Sequence, residues 1–555
     1  MMSNSPRTFL ISLLLIAAGA ILFLPFLGEV HLFDWDEINF AECAREMIVA
    51  KQYFLVTIDY LPFWEKPPLF IWMQVLSMKL FGITDYAARF PNAICGIATL
   101  LLIYHAGKTW KDHLFGLLWV LTYVGSILPF FYFKSGIIDP WFNFFIFSGI
   151  YCFARLNMHL KNLLPGNSYV LSSLSALCLG LAVMTKGPVA LLVFILCLTV
   201  YWVLNKFGHI IKFGNALLFA LVFTIVGGAW FTGAIITGHL DTIIEFIQYQ
   251  VRLFGTPDSG HGGPFYYHVV VLLFGCFPAS IFAIRGMLLK DTDEKFKEAT
   301  KWMAILFWVV LILFSIVKTK IVHYSSLCYY PLSFFAAFAA YKLIYEGYPW
   351  KKWMSLGLIF TGGIFAILLT GLPIVGIYKQ VLLGSGIIKD SFAVGNLQAD
   401  VSWTYLDCIP GGFLLLSIIT CIILFAFSKL KPGIIGLFLV TLITSFAVLA
   451  VCAPKIEQYT QQAAIDFYQS LKGKNVYVET KGYKSYAQYF YFEVQPWTDV
   501  RGTDIDWLIG GTIDKPAYVV CKVTQADEVE KLYPQLKELY RKNGFVFLLR
   551  PNTTQ

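Results

Sequence analysis

The chain has 555 residues, of which 58% are hydrophobic, 17% aromatic and only 14% charged, with a formal net charge of +8. A soluble globular protein carries about 25% charged residues, so a soluble fold is excluded. The basic excess sits in short loops between apolar runs, where it sets membrane orientation; it does not make a nucleic-acid surface.

Apolar runs of roughly 20 residues, enough to cross ~30 Å of hydrocarbon, recur along the chain. They predict a polytopic α-helical membrane protein with about thirteen spans, at 9–28, 87–106, 114–132, 139–156, 168–185, 187–205, 214–236, 265–287, 302–317, 324–345, 353–376, 410–428 and 433–453. Arg7 followed by Phe9–Leu27 could pass for a signal peptide, but the apolar part is longer than a secretory core, so it reads as an uncleaved first span. Most of the 11 cysteines lie inside these runs and none forms a CxxC pair, which suits small core residues rather than a disulfide framework or zinc site.

The connections alternate. One set carries Arg7, Lys108 and Lys111, Arg155 and Lys161, Lys206 and Lys212, five cations between Arg285 and Lys301, Lys351 and Lys352, and Lys429 and Lys431. By the positive-inside rule that set is cytoplasmic. The loop 29–85, the segments 237–264 and 377–409 and the tail after Ala453 then face outward.

The loop 29–85 gathers Asp34, Asp36, Glu37, Glu42, Arg45, Glu46, Glu65 and Lys66 in a chain otherwise poor in charge. Asp34 or Asp36 can cap a helix running through Met47. Phe40, Ala41, Ala44, Met47 and Ile48 share one arc of that helix, with Asn39, Glu42, Cys43 and Glu46 opposite, which predicts an interfacial helix on the membrane surface. Asp36 falls at the edge between the arcs and Glu37 within the apolar one. Both also fit plain first-turn acids favoured by the helix dipole. Glu65 and Lys66 precede Pro67-Pro68, a stiff start for the next helix; an interfacial Trp64 with a snorkelling Lys66 is the plainer reading.

More ionisable groups stand at outward span ends: Asp139, Lys186 in the break Thr185-Lys186-Gly187, and Lys318, Lys320 and His323. Anchoring accounts for some such charges, yet these run against the orientation bias, and charge at membrane depth is often functional. Arg252, His261 and His268 add polar groups nearby; no HxxxH spacing supports zinc. Cations around a lipid-linked phosphate, with a carboxylate opposite, suit transfer of a sugar from a lipid phosphate, because negative charge builds on the leaving phosphate.

The tail, about 454–555, changes composition. An amphipathic stretch at 460–471 precedes predicted strands at 475–479, 517–523 and 545–549, helical character at 483–491 and a predicted helix from Gln525 to Asn543. Alternating strands and helices indicate a small α/β domain. It carries no Gly-rich phosphate loop, GxSxG or HExxH, and reads as having no chemistry of its own.

Asp36-Glu37 with Phe40-Ala41-Glu42 and Arg45-Glu46-Met47, and Glu65-Lys66-Pro67-Pro68, resemble the lipid A aminoarabinose transferases and their relatives in the protein O-mannosyltransferase superfamily. Ala88-Arg89-Phe90-Pro91, Thr185-Lys186-Gly187, the stretch from His261 to Tyr267, and Tyr329-Tyr330-Pro331 look like further landmarks. The motif resemblance covers about 1–345. It implies a GT-C fold of 1–453 with a soluble domain over 454–555, in a bacterial inner membrane with site and tail facing the periplasm. It implies inverting transfer from an undecaprenyl-phosphate sugar to lipid A or another envelope acceptor. Asp36 matches the catalytic carboxylate, with Glu37 and Asp139 beside it. Lys66 matches a donor-phosphate ligand, a set extended here to Lys186, Arg252, Lys318, Lys320 and His323. Glu65 matches a residue tied to a divalent metal in some relatives, the one cofactor the resemblance admits. Where relatives often carry Arg or Thr after Asp-Glu-x, this chain has Asn39. Competing readings are transfer of a hexose to a protein or other glycan, a transporter, and a sensor or scaffold. A transporter should hold its charges mid-span and show related halves, and neither is visible.

Overall fold

The computed structural model describes residues 6–255, 262–496 and 500–552. All thirteen apolar runs are helical. Among the described residues, nine helices are long and apolar enough to cross a membrane; the pair Tyr267–Gly275 and Ala279–Met287, bent by 112°, makes a tenth if read as one broken span. The run at 114–132 divides into His113–Val124 and Ile127–Tyr132. Asp139–Leu160 has the length but carries Asp139, Asn143, Arg155 and Asn157. Small residues let the helices approach closely: a Cβ on Gly286 would stand 2.0 Å from the Phe335 carbonyl oxygen.

The tail ends in a four-stranded mixed sheet with spatial order Tyr477–Thr480, Ala517–Lys522, Phe545–Arg550, Lys537–Lys542. The first pair is parallel and the other two antiparallel, with Tyr477 opposite Ala517 and Ala517 opposite Arg550. One expectation fails here. The predicted helix 525–543 stops at Leu532, and Lys537–Lys542 is an exposed edge strand. Its charges, at 537, 538, 541 and 542, repeat with the spacing of a helix face, and pairing with Phe545–Arg550 makes it a strand instead.

The loop helix Asp36–Ala50 also departs from expectation. Eleven consecutive residues, Glu37 to Met47, are buried, so it does not lie on a membrane surface. Ile38, Ala41, Ala44 and Met47 share one core with Ile71, Val75 and Ala88 below and with Ile465, Tyr468, Phe490 and Phe547 of the tail above. Its polar side faces the tail and the loop's own hairpin. Arg45 donates to Glu42 at 2.6 and 2.7 Å and to the Val494 carbonyl at 2.8 Å. Glu46 accepts from Thr57 Oγ1 at 2.6 Å and from the Tyr60 amide at 3.1 Å. Burial, then the neighbouring Glu42 charge, push the Glu46 carboxyl up to about 9.

The start of this helix is fixed from below. Arg89, on the membrane helix Asp85–Trp110, donates to both Glu37 oxygens at 3.0 and 2.8 Å and to the carbonyls of Leu27, Val30 and His31. Glu37 also accepts from the amides of Phe33 and Gly136. Every oxygen of that carboxylate is thus used in holding the loop.

Two predictions follow from these buried charges. Glu46 holds its proton more tightly folded than unfolded, so its contribution to stability is full below about 4.5 and is lost as pH rises toward about 9. Glu46→Gln should therefore melt higher than wild type in detergent, by a margin that widens from pH 6 to pH 8; a constant margin would contradict this. Arg89→Ala strands a buried Glu37, at a cost of about 3–5 kcal/mol. It should show as lost folded protein in size-exclusion profiles, with Arg89→Lys less severe.

Candidate active site

A polar cavity of about 380 Å³, partly open to solvent, lies between the loop, the helix ends that face it and the tail. Asp34, Asp36, Asn39, Glu65, Lys66, Lys186, Arg252, His323 and Lys484 are among its lining residues. It continues into an apolar groove lined by Phe142, Ile146, Val189, Val193, Leu313 and Leu327. Lys66, Lys186 and Tyr324 line both spaces.

Local structure explains each position. With Glu37 clamped by Arg89, the preceding residue Asp36 is turned toward the cavity, where its side chain keeps 36% exposure. Lys66 sits just before Pro67-Pro68 and the helix Leu69–Phe81. Its ammonium lies 3.7 Å from Glu65 and 5.2 Å from the Tyr249 ring centre. Lys186 is the last residue of Ser168–Lys186, and Gly187 follows with φ +110. A Cβ there would meet Phe246 at 2.7 Å, so glycine permits both the reversal and the close packing. Asp139 is the first residue of Asp139–Leu160, and His323 lies on the 3₁₀ segment Val322–Cys328.

Together these groups form a relay of charge. Lys186 Nζ donates to Asp139 Oδ1 at 2.6 Å. His323 Nε2 lies 3.6 Å from Asp139 Oδ2 and 3.3 Å from Asp36 Oδ2. Burial raises the Asp36 carboxyl, but His323, Lys66 and Lys186 outweigh that and bring it down to about 2. Asp36 is therefore an anion across the neutral range and a poor proton acceptor. The Asn39 side chain is buried at the cavity wall, and its Oδ1 makes no hydrogen bond among the described residues.

The expected set divides. Asp36, Lys66, Asp139, Lys186, Arg252 and His323 converge, with Glu65 beside Lys66. Arg252 stacks on Tyr249, its guanidinium 5.2 Å from the ring centre. Glu37 touches the cavity, but its oxygens are taken by Arg89, Phe33 and Gly136, which corrects the catalytic expectation to a positioning one. Lys320 is also corrected: it is buried and donates to the carbonyls of Phe314, Ser315 and Val317, closing the end of helix Glu294–Ile316. Lys318 is exposed and lines neither space. His261 lies outside the described residues. Asp34, expected as a candidate cap, instead accepts from Ser485 Oγ and the Tyr486 amide. Sequence reasoning missed Lys484, which the tail delivers to the cavity wall from some 450 residues away; no local motif marks it.

The donor set does not fit a protein-held divalent ion at Glu65. Lys66 flanks its carboxylate and Tyr249 hydrogen-bonds it at 3.3 Å. Among the described residues no three His, Cys, Asp or Glu side chains converge on one point.

Comparison with known proteins points the same way. The family description dolichyl-phosphate-mannose-protein mannosyltransferase matches residues 65–230. The chain is 26% identical to an undecaprenyl phosphate-alpha-4-amino-4-deoxy-L-arabinose arabinosyl transferase of Aeromonas salmonicida over 58% of either chain. It is 27% identical to the enzyme of that name from Enterobacter sp. over 60% of either chain. The match thus spans about three-fifths of those curated relatives. ArnT from Cupriavidus metallidurans, solved bound to undecaprenyl phosphate, superposes with a TM-score of 0.74 at 17% identity over 98% of both chains. The Archaeoglobus fulgidus oligosaccharyltransferase superposes with a TM-score of 0.51 at 11% identity, over 93% of this chain and 70% of that one. The chain is a polytopic membrane protein with the GT-C fold of ArnT, and it resembles the aminoarabinose transferases in sequence.

Proposed function

We propose that this protein is an inverting glycosyltransferase that moves a sugar from an undecaprenyl-phosphate donor to lipid A or lipopolysaccharide at the periplasmic face of a bacterial inner membrane. The curated relatives' names supply the donor and an aminoarabinose-type pentose as the sugar. The observation that carries the reading is the junction itself: cations and an ionised carboxylate at the mouth of an apolar groove. A donor with a long apolar tail and an anionic head matches both spaces.

The prenyl chain runs along Phe142, Ile146, Val189 and Val193, and its phosphate meets Lys66 and Lys186, with Arg252 at the rim. The sugar then extends into the polar cavity beside Asp36. An acceptor oxygen attacks the anomeric carbon from the face opposite the phosphate. The new carbon–oxygen bond forms as the carbon–phosphate-oxygen bond breaks, and the electron pair leaves on undecaprenyl phosphate. Lys66 and Lys186 stabilise that developing charge in a site partly shielded from water. Asp139 fixes Lys186, and His323 bridges Asp139 and Asp36.

Asp36, held at about 2, is a weak base. It suits stabilising positive charge that grows on the sugar ring, and an acceptor that arrives already ionised. A lipid A phosphate meets that requirement; a serine or threonine hydroxyl does not. The matched family description favours a second reading, a hexose delivered to a protein hydroxyl. Mass spectrometry of lipid A and of envelope glycopeptides, with and without the protein, separates the two: unchanged lipid A with altered glycopeptides would overturn the first.

Asp36→Asn and Lys66→Ala should each lower transfer about a hundredfold or more in purified membranes while the protein still inserts. Transfer at the wild-type rate by both variants would overturn the site.

A further inference from the structure

The proposed reaction assigns the cations beside the groove to the donor. It leaves one cation of the cavity without a task. Lys484 lines the polar cavity but not the apolar groove, whereas Lys66 and Lys186 line both. Lys484 therefore stands outside the groove that takes the donor's tail. It comes from the tail, not from a membrane helix, and it is exposed.

Its position is built. Ser485 Oγ donates to the Asp34 carboxylate, and the Tyr486 amide reaches the same group at 3.4 Å, so the turn 484–486 is tied to the loop two residues before Asp36. The Lys484 ammonium is held 4.9 Å from the Trp35 ring centre and 5.2 Å from that of Tyr486. It makes no salt bridge among the described residues, although Asp34, Asp36 and Glu65 line the same cavity. The ammonium hydrogen-bonds the Tyr486 side chain, and the two aromatic faces restrict where it can go while its other protons stay open to a ligand.

An anionic acceptor needs such a group. To reach the anomeric carbon it must approach the ionised Asp36, and two like charges at close range in a partly dry cavity repel strongly. A cation on the approach side offsets that repulsion and orients the acceptor oxygen. We propose that Lys484 is an acceptor-binding residue: it holds the phosphate of a phosphorylated glycolipid opposite the donor, so that the tail completes the site. This rests on the transferase reading above and names the acceptor half of it.

The test uses the full chain in nanodiscs, with undecaprenyl-phosphate aminoarabinose as donor and lipid A bearing its phosphates, or the same lipid A dephosphorylated, as acceptor. Lys484→Ala should raise the KM for phosphorylated lipid A roughly tenfold or more, while the donor KM and the kcat at saturating acceptor stay within about twofold. Lys484→Arg should recover most of the loss. Binding of both lipids without donor supplies the second arm: wild type should prefer the phosphorylated form and Lys484→Ala should lose that preference. An unchanged acceptor KM beside normal wild-type transfer overturns the inference and leaves the transferase reading intact. A parallel rise in both KM values, or a lowered melting temperature, assigns Lys484 to clamping the tail and overturns it as well. If wild type transfers nothing to lipid A, the transferase reading fails, and the binding arm still decides: no phosphate preference overturns the subsite, and a preference lost in Lys484→Ala supports it.

Discussion

Arg89 rises from a membrane helix, places two nitrogens on Glu37 and gives its remaining donors to the carbonyls of Leu27, Val30 and His31. A guanidinium at that depth is stable only when its donors and charge are matched, and the loop 29–85 supplies the match. The pair ties the loop's entry, the first turn of its helix and the turn at Gly136 to one point. Asp36 inherits its direction from this. Adjacent acids take opposite roles because successive helical residues point about 100° apart: Glu37 faces the arginine, and Asp36 faces the cavity and His323.

From that anchor the electrostatics of the cavity follow. Asp139 holds Lys186 from one side, and His323 links the pair to Asp36. Lys66 enters from the diproline start of the next helix. Positive groups stand where an apolar groove opens into a polar space, so the protein presents a charged collar around the point at which a lipid tail would end. The low value of Asp36 belongs to the same collar, since the cations that favour a phosphate also keep the nearby carboxylate ionised.

The tail is structurally part of the same arrangement. Its helix 462–471 and its sheet share a core with the loop helix, and Arg45 and Tyr60 both bond the Val494 carbonyl. A helix that is amphipathic by its sequence is in fact covered on both sides, by helix Leu69–Phe81, Ala88 and tail residues on its apolar arc and by the tail and the loop's hairpin on its polar one. The buried Glu42, Arg45 and Glu46 are the trace of that second contact. Lys484 reaches the cavity through it.

Hydropathy and charge are properties of short stretches, and what depends on them was legible in the order of residues: the recurring helices, the charged loop, a tail of different composition with most of its strands, and the resemblance carried by Asp36, Lys66 and Thr185-Lys186-Gly187. Edge strand Lys537–Lys542 escaped because its charges at 537, 538, 541 and 542 carry the spacing of a helix face, and only the neighbouring strand overrides it. Which ionisable groups meet is a different kind of question. Glu37 and Asp36, or Lys320 and His323, look alike along the chain; packing alone turns one of each pair to a structural partner and the other to the cavity. Positions 36, 66, 139, 186, 323 and 484 come to line the joined cavity and groove only when several helices and the tail close on the loop. That closure is set by buried contacts between distant segments, so the tertiary structure alone could decide it.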